Sequence, residues 1–418
     1  MNGPVRRKSI FDPVHGTILL DGPALALIGT GEFQRLWGIR QTGFAHLVFP
    51  GANHTRLEHS LGTFWVAGQM ADRLDLTSEA RGRVVAAALL HDLGHGPFSH
   101  TLDVPMAEAL GMSHEGVSRA RIIGTDPYWP PDRAEVPAIL ERFGLSPGAV
   151  ANLVDPLRGR APSALERAIL HGAVDADRID YLQRDAHYTG VAHGAVDAGR
   201  LLETIREDRG HMVFAEKGRS AVEGFLVGRA LMYSTVYYHK TVRAAEMMAQ
   251  AAVEREPGFP DAAREQFRWT DADLLTFLRA LSGVSGDLAD GLLARRLYKR
   301  AFGWRAVDGT SRAGWIRLLH RPDERRSLED AVAERVRGPP GSVLIDLAGL
   351  EPRRGVGDSW GNVRVFQDGR TTHPFRVPGP WRSLAARPPA DWAVSVYVMP
   401  RLRAAAARWL SRDRSVLP

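Results

Sequence analysis

The chain has 418 residues, of which 44% are hydrophobic and 24% are charged, a composition typical of globular proteins. It contains no cysteine, which excludes disulfide frameworks and thiolate metal sites and leaves histidine and carboxylate side chains as ligands for any metal ion. No apolar run reaches the roughly 18 residues of a membrane span, and the N-terminal residues lack the apolar core of a secretory signal, so we expect a cytoplasmic protein without a membrane partner.

The formal net charge of +6 has two interpretations. A basic protein favours acidic partners, such as nucleotides or single-stranded nucleic acid. Arginine is frequent along the whole chain, however, so the excess is equally compatible with a general compositional bias. Charge alone therefore does not choose a partner.

The first elements in chain order are a strand pair and a long helical region. Residues 8–22 are apolar and β-branched, with interruptions at Asp-Pro and His-Gly, which predicts two short strands. From about residue 24 to residue 250 the apolar spacing is helical. Ser163 and Glu166 have the spacing of a capping box, and Gly190 is placed to end a helix. The predicted helices cover 57–74, 83–93, 105–121, 163–188 and 219–252.

The C-terminal part of the chain changes character. Helical spacing continues to about residue 335, after which three β-branched stretches predict strands and a final apolar repeat predicts a helix. These elements cover 341–347, 361–377, with an Asp-Gly turn, 392–398 and 400–412. We therefore predict a mostly α protein, with a large helical body in residues 1–330 and a small α/β subdomain in residues 331–418.

One short stretch, 89-LLHDLGHGPFSHTLD-103, concentrates polar side chains behind a buried helix. His91 and Asp92 follow a run that is apolar on all faces, which is typical of a helix buried on every side. Removing two such polar groups from water requires compensation, which ligation of a divalent metal ion supplies. Two ligands are too few for a stable site, and His59 and Asp177 are the strongest further candidates.

Each of these residues also has an ordinary structural interpretation. A single histidine near a helix start, such as His59, is usually hydrogen-bonded within the fold. Asp177 lies beside Arg178, and such neighbours usually form a surface ion pair. The dipeptide His91-Asp92 is common by itself. The order of all four candidates, with a glycine-rich turn after the dipeptide, makes a metal site the better hypothesis.

This order of residues resembles that of the HD-domain metal-dependent phosphohydrolases. Longer strings resemble the branch of deoxynucleoside triphosphate triphosphohydrolases, which includes the vertebrate enzyme with a sterile-alpha-motif and an HD domain and shorter bacterial relatives. The resemblance covers roughly residues 8–300 and is weak beyond residue 330. The strings that carry it are 49-FPGANHTRLEHSLG-62, 90-LHDLGHGPFSH-100, 113-SHEG-116, 174-VDADRIDYLQRDAHYTG-190 and 229-RALMYSTVYYHKTVRAAE-246.

The resemblance implies an HD-domain helical fold with a phosphohydrolase core in residues 1–330 and one divalent metal ion per subunit. Mn, Mg, Fe, Zn, Ni and Co all accept histidine and aspartate ligands, so the sequence does not identify the ion. The implied ligands are His59, His91, Asp92 and Asp177. In this branch water attacks the α-phosphorus of a deoxynucleoside triphosphate, which releases the deoxynucleoside and inorganic triphosphate.

The resemblance also implies roles for residues around the metal ion. The implied catalytic residues are His95, His100, Asp103 and His114, of which His114 is the acid. The arginines implied at the phosphates are Arg56, Arg178 and Arg229, and the residues implied at the sugar are Gln41, Tyr181, Asp185 and Tyr237. The two tyrosines would leave little room for a 2′-hydroxyl.

The family further implies homo-oligomers, dimers or tetramers, with a nucleotide effector at a subunit interface. The vertebrate enzyme reads a guanine effector with an aspartate and an arginine, for which Gly29 and Trp37 stand here, so guanine-specific activation is in doubt. The effector positions that keep their residue type are Lys8, Gln34, Arg200, Arg295 and Lys299.

Two alternative functions remain open at the level of the sequence. One is an HD phosphohydrolase that acts on another nucleotide or on a nucleic-acid end, although such a substrate would not need three phosphate-binding arginines. The other is a non-catalytic protein that binds nucleotides or single-stranded nucleic acid, for which binding would depend steeply on salt.

Overall fold

The computed structural model describes residues 7–159, 163–265, 268–305, 309–350, 363–367, 369–372, 393–412 and 417. Helices predominate within these ranges, which confirms the prediction of a mostly α protein with a small α/β part near the C-terminus. The Asp-Gly turn predicted within 361–377 includes residue 368 and therefore lies outside the described residues.

The helices and strands have the following bounds. The helices are α1 (Gly22–Ile28), α2 (Gly31–Gln34), α3 (Arg56–Arg73), α4 (Ser78–Leu90), α5 (Ser99–Leu110), α6 (His114–Ile123), α7 (Val136–Arg142), α8 (Pro147–Val154), α9 (Ala164–His171), α10 (Ala176–Thr189), α11 (Ala198–Thr204), α12 (Arg219–Met232), α13 (Lys240–Glu254), α14 (Phe259–Glu265), α15 (Asp271–Arg279), α16 (Val284–Leu293), α17 (Gly309–Leu319), α18 (Pro322–Arg335) and α19 (Arg403–Arg412). The strands are β1 (Arg7–Asp12), β2 (Gly16–Asp21), β3 (Ile205–Asp208), β4 (His211–Ala215), β5 (Lys299–Trp304), β6 (Val343–Asp346), β7 (Val365–Gln367), β8 (Arg370–Thr372) and β9 (Val394–Val398).

The core of the helical body forms around α4, which is buried along most of its length. Its residues from Val84 to Leu90 are all less than a tenth exposed, as the apolar run predicts. The helices α3, α8 and α9 pack against it, and α10 packs against the other side of α3. This arrangement brings the end of α4 close to the first turns of α3 and α10.

Three of the long predicted helices are broken, and the first two breaks have a clear local cause. The predicted helix 105–121 was wrong because Gly111, with a φ of 71°, ends α5, and Ser113 begins α6 by accepting a hydrogen bond from the Gly116 N–H. The predicted helix 163–188 was wrong because α9 ends before Gly172 and the carboxylate of Asp175 caps a new helix.

Other predicted helix signals hold. Ser163 begins α9 and accepts from the Glu166 N–H, and Gly190, with a φ of 72°, follows the last residue of α10. The predicted helix 219–252 was wrong as a single helix: a turn of π-helix at Tyr233–Tyr237 follows α12, and His239, with an extended backbone, begins α13 as a separate helix.

Three small sheets accompany the helices in the described part of the chain. The hairpin β1–β2 is antiparallel, as predicted for residues 8–22. A second sheet has the strand order β3-β4-β7-β8, and a third has the antiparallel order β5-β9-β6. Both of these last two sheets combine strands from before and after residue 330. The domain boundary predicted at residue 330 stays a prediction.

The sequence failed to predict β3, β4 and β5, which lie in regions assigned to helix. The hairpin β3–β4 turns at Arg209 and Gly210, both with positive φ, and Arg-Gly is not among the common hairpin signals. The strand β5 is half-buried and contains two basic residues, so its alternation is weak. No described helix is both long enough and apolar enough to cross a membrane.

Candidate metal centre and active site

The first turn of α3 carries two of the predicted site residues, Arg56 and His59. A capping box begins the helix, in which the Glu58 carboxylate accepts from the Thr55 N–H at 2.6 Å. The Nδ1–H of His59 donates to Oδ2 of Asp180 at 2.7 Å. Because a carboxylate accepts this bond, Nδ1 carries a proton, and Nε2 is the ring nitrogen that faces the site.

The end of α4 presents the second histidine in the same way. Nδ1 of His91 lies 2.8 Å from the Ala88 carbonyl oxygen, which can only accept, so this nitrogen carries the proton. Nε2 of His91 is buried, has no hydrogen-bond partner among the described residues, and lies 3.1 Å from Oδ1 of Asp92. A lone pair that faces a carboxylate is unfavourable unless a cation lies between them.

The four predicted ligands are neighbours, and one ligand atom from each of His59, His91 and Asp92 lies within 4.8 Å of the other two. Asp177 extends from the first turn of α10, and its Oδ1 lies 3.0 Å from Nε2 of His59 and 4.0 Å from Nε2 of His91. Nε2 of His59 also lies 3.9 Å from Oδ2 of Asp92. Two imidazole nitrogens and two carboxylates form a donor set that divalent transition metals accept, and the orphaned Nε2 of His91 belongs to it. These residues therefore fit one divalent ion.

The potential at this point favours positive charge. Burial opposes a charge on His59, but Asp177 and Asp180 outweigh it and raise the pKa of His59 to about 10, so ligation of a metal ion by His59 would release the proton from its Nε2. Burial likewise opposes ionisation of Asp92, but Arg56 and the nearby histidines hold its pKa well below the usual range. The carboxylates are therefore ionised near neutral pH, as metal ligation requires.

A second cluster surrounds Asp103 on α5. Its Oδ1 lies 3.6 Å from Nδ1 of His95 and 3.4 Å from Nδ1 of His114, and its Oδ2 lies 3.2 Å from Nδ1 of His100. The rings of His95 and His114 stack with centroids 3.9 Å apart. Nε2 of His95 lies 3.4 Å from Oδ1 of Asp92, which joins this cluster to the metal ligands. His100 is the outermost member, with 71% of its side chain exposed.

The two stacked histidines differ in protonation. Burial and the charges of Arg56 and His114 lower the pKa of His95 to about 4, so this ring is neutral at pH 7. Burial also opposes a charge on His114, but hydrogen bonds with Asp103 and Glu115 outweigh it and raise the pKa to about 10. A neutral histidine and a protonated one thus lie side by side, an arrangement suited to base and acid roles.

Arg56 lies between the two clusters. Its Nη1 donates to Oδ2 of Asp92 at 2.5 Å, and its Nε donates to the Ser99 hydroxyl at 2.5 Å. Its Nη2 is buried and has no partner among the described residues. A buried guanidinium with an unused donor is a site for an anionic ligand.

The residues predicted to contact the sugar and phosphates form a chain of contacts on the other side of the metal site. The Nε–H of Arg229 donates to the Tyr181 hydroxyl at 2.9 Å. The Tyr237 hydroxyl donates to Oδ2 of Asp185, whose Oδ1 lies 2.7 Å from Nε2 of His54. The tyrosine rings of Tyr181 and Tyr237 are 6.4 Å apart in an edge-on arrangement.

This chain of contacts adjoins the metal ligands. The ring of Tyr181 lies 6.5 Å from that of His59. Oε1 of Gln41 is buried without a hydrogen-bond partner among the described residues. Arg178 differs from the other two arginines, because it bonds the carboxylate of Asp175 and the carbonyl of Gly172 on its own side of the turn. The structure therefore brings Tyr181, Asp185, Arg229 and Tyr237 together. Gln41 is half-buried and donates through its backbone N–H to the His54 carbonyl at 3.0 Å.

Four contributors to the site were missed in the sequence. Asp180 orients His59, and Nε2 of His15 lies 2.6 Å from the other oxygen of Asp180. His54 bonds Asp185, and Nε2 of His114 lies 3.2 Å from Glu115. Glu115 and His54 lie beside predicted site residues in the sequence, which was a weak indication of their roles. The contact between His15 and Asp180 joins residues 165 positions apart, so no local pattern indicates it.

The predicted effector positions lie at the surface, apart from Arg200, which is half-buried. Trp37 is 55% exposed, and Arg295 donates to the Leu47 carbonyl at 2.9 Å. Arg200 bonds Glu203 at 3.0 Å.

Comparison with known proteins places the chain in a family. A family model described as "HD domain" matches residues 56–185, and a second one described as "HD associated region" matches residues 196–411. A protein of Methanocaldococcus jannaschii is 37% identical over 314 residues, which are 74% of this chain and 62% of that protein. YwfO of Bacillus subtilis is 37% identical over 261 residues, which are 61% of this chain and 57% of that protein.

The deoxynucleoside triphosphate triphosphohydrolase SAMHD1 of Gallus gallus is 30% identical over 293 residues, covering 60% of this chain and 46% of that enzyme. The chain thus spans less than two thirds of the length of these curated relatives. A crystal structure of a hypothetical protein from Aquifex aeolicus superposes with a TM-score of 0.75 at 26% identity, covering 97% of this chain and all of that one. The chain belongs to the HD-domain family and combines an HD domain with an HD-associated region.

Proposed function

We propose that the protein hydrolyses deoxynucleoside triphosphates at the α-phosphorus and releases the deoxynucleoside and inorganic triphosphate. The observation that carries this proposal is the continuous arrangement of three groups. The metal ligands adjoin the stacked pair of His95 and His114 on one side, and the contacts of Tyr181, Arg229 and Tyr237 on the other. The chicken relative is a deoxynucleoside triphosphate triphosphohydrolase, which supports the same substrate class.

A divalent ion held by His59, His91, Asp92 and Asp177 would neutralise phosphate charge and lower the pKa of a bound water. The cationic side chains of Arg56 and Arg229 would bind the remaining phosphate oxygens. Both are buried, so their attraction for an anion is weakly screened.

The stacked histidines would move the protons. Water attacks the α-phosphorus, the bond from phosphorus to the 5′-oxygen breaks, and the leaving oxygen takes up a proton. His114 is protonated near neutral pH and can donate that proton, whereas His95 is neutral and can accept one from the attacking water. Asp103 and Glu115 hold the charged form of His114.

The sugar would lie against the two tyrosines. Burial and Asp185 raise the pKa of Tyr237 well above its usual value, so the hydroxyl stays protonated and donates to Asp185. A carboxylate in this position can accept from a 3′-hydroxyl, and the unused Oε1 of Gln41 is a second acceptor. The tyrosine rings then limit the space next to the 2′ carbon.

Assembly and regulation belong to the same proposal. By analogy with its relatives the enzyme would form dimers or tetramers, and a nucleotide effector would bind between subunits through Arg200, Arg295 and Lys299. Because Gly29 and Trp37 replace the two guanine-reading residues, we expect no preference for guanine in that effector.

A product assay tests the function. The purified protein is incubated with each dNTP and NTP and with Mn²⁺ or Mg²⁺, with and without a second nucleotide, and the phosphorus-containing product is identified. Inorganic triphosphate supports attack at the α-phosphorus. Pyrophosphate or monophosphate would instead favour an HD phosphohydrolase with another cleavage point. Lack of turnover would favour a binding protein, which salt-dependent binding to single-stranded nucleic acid would reveal.

A further inference from the structure

The loop between α4 and α5 has a backbone conformation that its own residues do not favour. We call residues 93–99 the catalytic loop, because it contains His95. Phe98 and Ser99 both have positive φ angles, 50° and 33°, in a region that residues other than glycine rarely adopt. The loop therefore depends on partners elsewhere in the fold to keep this conformation.

Asp271, the first residue of α15, is one such partner. Its Oδ1 accepts from the Phe98 N–H at 2.8 Å, and its Oδ2 accepts from the Arg40 N–H at 3.0 Å. Arg40 forms a β-bridge with Thr55, which begins α3. Asp271 is only 2% exposed, so water does not compete for these bonds. One buried carboxylate thus joins the catalytic loop to the helix that carries Arg56 and His59.

Arg35 is the second partner. Its guanidinium donates to the carbonyl oxygen of Leu93 at 3.1 Å and to that of His95. The same group donates to the carbonyl of Trp269 at 3.1 Å. Trp269 and Asp271 belong to one short segment, which therefore contacts both halves of the catalytic loop, once through Arg35 and once directly.

These bonds fix the residue on which the chemistry depends. The carbonyl of His95 is held by Arg35, while its ring stacks on His114 and its Nε2 lies 3.4 Å from Asp92. A shift of the loop backbone would move this ring away from both neighbours. A misplacement of about 1 Å in such a site can reduce the rate on the order of 100-fold.

We propose that Asp271 and Arg35 are positioning residues, which hold the catalytic loop and thereby set His95 against the metal ligands. Neither needs to contact the substrate. The expected effect on turnover rests on the proposed function, whereas the effect on the loop backbone does not depend on any substrate.

The test compares two substitutions in the same turn of α15. Asp271→Asn keeps the size of the side chain, but one of its two acceptors becomes a donor that faces a backbone N–H. Asp273→Asn is the matched control, because Asp273 accepts from the Thr270 N–H at 2.8 Å in an exposed capping box and does not bond the catalytic loop. Both variants weaken the start of α15, and only the first one acts on the loop.

Two readouts are measured on the full-length, metal-loaded protein. Hydrogen exchange at the Phe98 amide should become roughly tenfold faster or more in Asp271→Asn and stay unchanged in Asp273→Asn. The kcat for a dNTP should fall about 10- to 100-fold in Asp271→Asn, whereas KM and metal affinity stay within about twofold. A purely structural role would not produce this separation of kcat from KM.

Unchanged exchange at Phe98 together with unchanged kcat would overturn the proposal. If Asp271→Asn does not fold, Arg35→Lys decides the question, because a single ammonium keeps the charge but cannot span three carbonyls in fixed geometry. Faster exchange in residues 93–99 of that variant supports the proposal, and unchanged exchange contradicts it. If the wild-type protein hydrolyses no nucleotide, the proposed function fails, and the exchange comparison still decides the positioning role.

Discussion

At the scale of single residues, the orientation of the His59 ring is set by the carboxylate of Asp180, which does not itself face the metal site. Burial opposes ionisation of Asp180, but Arg184 and two histidines outweigh it and hold its pKa well below the usual range. Asp180 therefore accepts, His59 donates through Nδ1, and Nε2 is left for an ion. Arg184 bonds both oxygens of Asp180 at 2.9 Å, which limits the movement of this carboxylate.

Removal of a proposed ligand should abolish metal binding. His91→Ala or Asp92→Ala removes one of the four proposed donors and leaves the other buried polar groups of the site without it, so we expect metal content and turnover to be lost. Metal content is measured by elemental analysis of the purified protein. His187→Ala is the control, because His187 is exposed on α10. Normal metal content in the His91 variant would contradict the ligand assignment.

Substitution of Tyr237 should change the preference between deoxy and ribo substrates. Tyr237→Ala removes the ring beside Tyr181 and opens space, so the ratio of kcat/KM for dNTP over NTP should fall by about 10-fold or more. Tyr237→Phe is the matched control, since it keeps the ring and loses only the bond to Asp185. An unchanged ratio in the alanine variant would mean that the sugar is selected elsewhere.

At the scale of elements, α3 and α10 approach each other closely because Gly62 has no side chain. A Cβ at this position would lie 1.8 Å from Oδ1 of Asp180 and 2.4 Å from Nη2 of Arg184. The approach is what allows a carboxylate on α10 to reach His59 on α3. Neither of the atoms near Gly62 can retreat without breaking the bond between Asp180 and Arg184.

Two glycines of α3 should therefore respond differently to substitution. Gly62→Ala should lower the free energy of unfolding by about 1–3 kcal/mol and weaken metal binding, since it breaks buried hydrogen bonds. Gly68→Ala should be neutral or stabilising by up to about 1 kcal/mol, because its Cβ would meet the end of the Arg81 side chain at 3.4 Å and Cγ1 of Val85 at 3.8 Å, which are ordinary van der Waals distances. Denaturant titration measures both, and equal effects would contradict the proposed role of the close approach.

The junction of α18 with β6 should make stability depend on pH. Burial raises the pKa of Glu329 to about 7, although Arg325 and the Ile345 N–H act against it. As pH rises from about 4.5 to 7, the unfolded chain loses this proton before the folded protein does, so the free energy of unfolding falls, by an amount on the order of 3 kcal/mol.

Glu329→Gln tests this effect. Denaturant titrations of both proteins between pH 4.5 and 7 should show wild type losing stability relative to the variant as pH rises. The comparison removes the contribution of the other carboxylates, which are present in both proteins. A constant difference across this range would show that Glu329 is ionised throughout.

At the scale of the whole molecule, the proposed metal ion would connect three helix ends. His59, His91 and Asp177 come from α3, the end of α4 and α10, of which α3 and α10 are also joined here by the hydrogen bond from His59 to Asp180. An ion present at about 100 times its Kd stabilises the folded state by about 2.7 kcal/mol. Removal with a chelator should therefore lower Tm by about 3 °C for 418 residues. Readdition should restore it, and His91→Ala should show no shift.

Features that depend on residues close together in the sequence could be predicted, whereas features that depend on contacts between distant parts of the chain could not. The helical body, the strand pair at 8–22 and the cap at Gly190 follow from local spacing, and the structure has them. His91 and Asp92 were predicted as metal donors from their position behind an apolar helix, whereas the full set with His59 and Asp177 was implied by the resemblance to HD-domain enzymes. The strand β5 was missed because its partner β9 lies about a hundred residues later, and pairing rather than propensity decides its conformation.

The same reasoning explains the residues of the site that were missed. His15, Arg35 and Asp271 act through contacts that join distant parts of the chain. As single polar residues they have no local pattern that would distinguish them from exposed neighbours.

The bond between Phe98 and Asp271 has a consequence for the order of events during synthesis. Its two ends are separated by 173 residues, and a ribosome adds about 5–20 residues per second, so Asp271 emerges about 10–35 s after Phe98. All four metal donors precede Asp271 as well. A nascent chain can therefore bring the proposed metal ligands together before Asp271 is available to bond the catalytic loop. His95 reaches its final position only after the region that contains Asp271 has been translated.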